Sequence, residues 1–185
     1  RKKNNSTFNI QFMNRIVLNM LLILVSLTTS AADMKDVFTV MPDSVLPTLT
    51  RNNRLDMIDF VASGMKAEVN DVFDEKSTLD TLTADYLHIT LNEAVKVEMK
   101  LLPSSRQLAD SADNVVCVVM TYGKQPIESK VTLYTSKWTP LPSSLKITSN
   151  EVASLSISSN TLSLKKSFRN EGNKEEQQLT TLKWD

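Results

Sequence analysis

Residues 86–101 read Tyr86-Leu87-His88-Ile89-Thr90-Leu91-Asn92-Glu93-Ala94-Val95-Lys96-Val97-Glu98-Met99-Lys100-Leu101. Leu87, Ile89 and Leu91 alternate with Tyr86, His88, Thr90 and Asn92, and Val95, Val97, Met99 and Leu101 alternate with Lys96, Glu98 and Lys100. A strict period of two puts one set of side chains on a core and the other in water. The stretch therefore predicts two antiparallel strands joined as a hairpin.

Downstream the pattern stays sheet-like. Residues 115–121 are nearly all apolar, which predicts a central strand covered on both faces. Tyr122-Gly123-Lys124-Gln125-Pro126 turns the chain into a strand over 127–135, with Ile127, Val131 and Leu133 inward and Glu128, Lys130 and Thr132 outward. Trp138-Thr139-Pro140-Leu141-Pro142 interrupts the sheet, because closely spaced prolines cannot serve an interior ladder. Short strands are expected at 145–147, 155–157, 162–164 and 180–184, with 169–178 a polar hairpin loop.

Upstream the period is 3.6. Asn53 is placed to cap a helix in which Leu55, Ile58, Val61, Ala62 and Met65 share a face, with Asp56 near its positive end. Gly64 ends or bends it, and Met65, Val69, Val72 and Phe73 extend the apolar stripe into a second helical stretch. Pro42 and Pro47 limit residues 33–50 to short helical turns and an extended piece. Helices first and strands afterwards predict an α+β domain, its N-terminal helices packed on an antiparallel, meander-like sheet.

The whole chain carries 21 Lys and Arg against 21 Asp and Glu. That balance is uneven along it. Arg1, Lys2, Lys3 and Arg15 precede any acid, the run 16–27 is apolar, and Thr28-Thr29-Ser30-Ala31-Ala32 follows. A positive segment, a short apolar segment and small residues form a secretory signal layout, too short in its apolar part for the roughly 20 residues that cross a bilayer. Residues 1–32 are read as a cleaved signal peptide and 33–185 as a single α+β domain, with no stable membrane anchor after cleavage. Cleavage leaves 17 basic residues against 21 acidic ones, a formal net of −4. A mildly acidic chain without a basic cluster is a poor partner for nucleic acid or anionic lipid.

Composition excludes several chemistries. One His and one Cys build no multi-histidine or multi-cysteine zinc site and no internal disulfide. Three glycines, none in a dinucleotide or P-loop spacing, supply no phosphate cradle. No cofactor is expected. Cys117, inside Val115-Val116-Cys117-Val118-Val119, reads as a core thiol that burial disarms. His88 reads as an ordinary solvated strand residue; the competing reading is a hydrolase-like envelope enzyme using His88 with a helix carboxylate, Asp56 or Asp59. Those two acids also suit a helix N-terminus, and the acidic stretch from Asp71 to Asp80 lacks EF-hand spacing, so no metal site is assigned. Trp138, Leu141 and Trp184 are the candidate binding residues, an aromatic patch for a protein or glycan partner.

The runs Met41 to Phe60 (M-P-D-S-V-L-P-T-L-T-R-N-N-R-L-D-M-I-D-F), Leu82-Thr83-Ala84-Asp85-Tyr86-Leu87, Val97-Glu98-Met99-Lys100-Leu101-Leu102-Pro103 and Leu133-Tyr134-Thr135-Ser136-Lys137-Trp138-Thr139-Pro140-Leu141 carry a resemblance. In their order they resemble a domain-of-unknown-function family, number 3256, of small exported proteins from Bacteroides-like bacteria. The resemblance implies export and brings no activity, cofactor or site residue. Taken together, the sequence leads to the expectation of an exported, periplasmic or extracellular, non-catalytic binding or accessory protein.

Overall fold

A computed structural model describes residues 32–104, 114–124, 127–149, 151–169 and 175–184. The segment read as a signal peptide, up to residue 31, and the middle of the expected polar loop at 170–174 lie outside the described residues.

Two short helices open the unit. Helix α1 (Met34–Thr39) is capped by Asp33, whose carboxylate accepts from the Lys35 amide at 2.9 Å. Helix α2 (Arg51–Ala62) starts two residues before the expected cap, Asn53. Thr50 is the true N-cap: its hydroxyl accepts from the Asn53 amide, while the Asn53 side chain accepts from the Thr50 amide, a reciprocal capping box. The buried face of α2 is Arg54, Met57 and Ile58; Val61 and Met65 are exposed.

The second helical stretch to Phe73 does not form. Gly64 takes φ +68°, the Met65 amide donates to Phe60 O and the Gly64 amide to Val61 O. That is a Schellman ending, which satisfies the last carbonyls and sends the chain away from the helix axis. Beyond it Glu68–Asn70 is strand β1, and the Asp71 carboxylate organises the next turn by accepting from the Phe73 and Glu75 amides. Asp71 thereby serves the backbone of a turn rather than a ligand.

Strands β2 (Lys76–Leu82), β3 (Tyr86–Asn92), β4 (Val95–Pro103), β5 (Asn114–Tyr122), β6 (Glu128–Thr135) and β7 (Pro140–Leu141) follow. With β1 they form a seven-stranded antiparallel meander in sequence order. The prolines after Trp138 are tolerated because β7 is a two-residue edge. Ile127 precedes β6 and is exposed, so it does not face inward as expected.

A second sheet, in the order β10-β9-β8, is built from β8 (Glu151–Leu155), β9 (Thr161–Arg169) and β10 (Glu175–Lys183). Two of its strands are longer than expected, because the polar residues either side of residues 170–174 pair with one another instead of looping out. The expected strand at 145–147 is irregular chain.

The large sheet therefore has a covering on each face. On one side α1 and α2 bury Met34, Phe38 and Met57 against Leu87, Ile89, Val97, Met99, Val116 and Val118. On the other, Tyr86, Leu102, Val115, Cys117 and Val119 meet Ala153, Leu155 and Leu164 of the small sheet. The Val115–Val119 run feeds both cores, as its unbroken apolarity requires. The hairpin face expected to meet water is dry at this end, where Tyr86, Lys100 and Leu102 are buried.

Candidate functional site

Strand β8 lies across β4, β5 and β6 without joining their ladder, so its outer amides need other acceptors. Side chains of the large sheet provide them. The Ala153 amide donates to Ser129 Oγ at 3.0 Å and the Leu155 amide to Glu98 Oε2 at 3.2 Å. The other Glu98 oxygen accepts from the Tyr86 hydroxyl at 2.9 Å. Burial, with that carboxylate as neighbour, pushes the Tyr86 phenol above its ordinary range. Lys100, 2% exposed, donates to Ile157 O at 2.9 Å and pairs with Asp85 at 2.8 Å. The bonds from the Ala153 and Leu155 amides and to Ile157 O tie the small sheet to side chains of the large one rather than to its backbone.

Between the small sheet and the large one lies a cavity of about 260 Å³. Its floor is apolar and buried: Leu102, Cys117 and Leu155, with the half-buried Val131, Leu133 and Leu162. Its rim is more polar, with Ser143, Ser144 and Lys183 exposed beside Pro142 and Leu182, and Asn160 half-buried. Irregular chain at 142–145 borders one side, and Trp184 another. The Trp184 indole donates to Pro103 O at 2.6 Å, and its amide to Asn160 O at 2.8 Å, which ties the end of the described chain to β4.

Cys117 is 3% exposed, and burial, helped by the Glu98 charge, pushes its thiol up to about 12. The thiol is neutral at physiological pH, so it contributes surface to the floor rather than a nucleophile.

The three expected binding residues part company. Leu141 pairs with Leu133 and packs on the second core, as does Trp184, which also borders the cavity. Trp138 is on the helical side, 6% exposed, its indole donating to Val37 O at 2.9 Å and its ring 5.4 Å from that of Tyr134. It forms no exposed patch with the others. Its φ of +67° in the β6–β7 turn swings the ring beneath α1.

His88 is not joined to a helix acid. Asp56 and Asp59 are exposed on α2, which covers the opposite face of the sheet. His88 Nδ1 lies 3.1 Å from Asp80 of β2, whose same oxygen accepts from Thr90 at 2.7 Å. Among the described residues no group of three His, Cys, Asp or Glu side chains converges for a metal.

Arg54 is the residue that the periodic reading passed over. It is wholly buried, and its guanidinium donates to Phe38 O at 3.1 Å, Leu49 O at 2.7 Å, Met41 O and Asp43 Oδ1 at 2.9 Å. Five donors in a planar fork suit this collection of carbonyls, which pins the 38–49 segment in place. A charge at a position whose helical phase is apolar is the one sequence signal that marks it.

The profile of a family described as "Protein of unknown function (DUF3256)" matches residues 26–182. A solved structure, of a domain of an uncharacterized protein from Porphyromonas gingivalis W83, is similar at 24% identity with a TM-score of 0.60, over 74% of this chain and 81% of that one. At that identity the likeness carries the fold alone. No curated protein matches the chain.

Proposed function

The chain belongs to the DUF3256 family, and we propose, from the cavity between its two sheets, that it is an exported binding or accessory protein that works without catalysis. The cavity carries the reading. A buried apolar floor beneath a more polar rim is the usual build of a small-molecule seat, and it exceeds the roughly 150 Å³ void that takes up benzene in an engineered core. In this reading Trp184, which borders the cavity, is a binding residue, while Leu141 packs on the same core without lining the cavity and Trp138 packs on the helical side.

Export rests on the signal layout. The compact unit begins at Ala32, where the small residues of that layout end. Among the described residues no helix is long and apolar enough to cross a membrane. N-terminal sequencing of protein recovered from the cell envelope or medium is expected to start at Ala32 or Asp33. Recovery with residues 16–27 intact would overturn the export reading.

A further inference from the structure

Resting on the cavity reading above, we infer that the ligand is an uncharged amphiphile, an alkyl tail bearing a hydroxyl-rich head such as a sugar. Burial divides the lining by depth. Leu102, Cys117 and Leu155 lie at 4%, 3% and 8% exposure, whereas Ser143, Ser144 and Lys183, together with Pro142 and Leu182, are on the exposed side. Contact with the floor rewards apolar surface, and the neutral thiol of Cys117 adds to it.

Asn160, Thr161, Ser143 and Ser144 line the cavity beside that floor. All four are uncharged and both donate and accept, the combination that hydroxyl groups match and that a simple ion uses only in part. Among the described residues no carboxylate lines the cavity, so a cationic head finds no counter-charge there, and the one charged side chain of that lining, Lys183, is exposed at the rim. A head held by neutral hydrogen bonds and a tail held by burial make the two halves of the ligand separable in experiment.

The test uses the signal-free chain, 33–185, and isothermal titration below the concentrations at which the detergents form micelles. Octyl glucoside is expected to bind one per chain, with glucose silent and octylammonium at least tenfold weaker. Leu145→Trp, on the irregular border of the cavity, is expected to weaken octyl glucoside at least tenfold. Asn160→Leu is expected to weaken octyl glucoside several-fold while leaving 1-octanol unchanged, and circular dichroism verifies that both variants fold. If 1-octanol and octylammonium bind as tightly as octyl glucoside, the hydroxylated head is overturned and the cavity reading stands. If none of the alkyl probes binds, both are overturned.

Discussion

The two faces of the large sheet are closed with the same devices and end up different. Each has a tryptophan that donates its indole to a distant carbonyl, Trp138 to Val37 O and Trp184 to Pro103 O. Each has a buried cation paired with a more exposed carboxylate, Arg54 with Asp43 and Lys100 with Asp85. On the helical face Arg54 binds three carbonyls as well, and Trp138 is wholly inside. On the other face Lys100 reaches one carbonyl, Trp184 is half exposed, and a cavity remains. A helix turns its side chains into the sheet and fills the space. The small sheet meets the large one in part through hydrogen bonds to Glu98, Ser129 and Lys100.

The sharpest way to break this comparison is to remove the cations. Arg54→Met strands buried carbonyls at Phe38, Met41 and Leu49, and should lower stability by about 3–5 kcal/mol in urea unfolding. Lys100→Met keeps much of the packing and frees one carbonyl and the half-exposed Asp85, for about 1–2 kcal/mol. Equal losses would mean that the two faces are equally clamped.

The tryptophans give a smaller contrast. Trp138→Phe leaves Val37 O buried without its donor, an expected cost of about 1–3 kcal/mol. Trp184→Phe frees a carbonyl that water can reach, and should cost less than about 1 kcal/mol. Thermal unfolding of the two variants ranks them directly.

The titration of Cys117 gives an effect on stability that is absent at neutral pH. Its folded value near 12 lies above an ordinary value near 9, so folding favours the neutral thiol. The stability from this group is complete below about pH 9 and is lost as pH rises towards about 12, because only the unfolded chain then gives up its proton. Tyr86 is raised as well and acts in the same direction. Urea midpoints should fall across that alkaline range, less steeply in Cys117→Ala. At neutral pH a thiol reagent should label the native chain at least about a hundredfold more slowly than the denatured one.

Much of this architecture was legible from periodicity. The hairpin, the doubly covered strand and the α+β order follow from side-chain alternation, which needs only local geometry. The end of α2 was half legible: Gly64 announced it, but an apolar stripe suited to a helix was equally suited to β1 and its turn. Of the cavity, only the floor was foreshadowed. Leu102 directly after Leu101, and the run through Cys117, break the alternation and require apolar cover on both faces. What covers the second face was hidden in strands with ordinary polar sequences.

By itself, then, the sequence determined the element types, the antiparallel order and the burial of Cys117, because backbone sterics and local burial set them residue by residue. Tertiary structure alone decided that Arg54 and Lys100 would lie inside, since a charged side chain enters a core only where distant carbonyls and carboxylates converge on it. It also decided that Trp138 and Trp184 would separate onto opposite faces. Their fates depend on carbonyls 101 and 81 residues away in the chain, a distance over which no local pattern carries information.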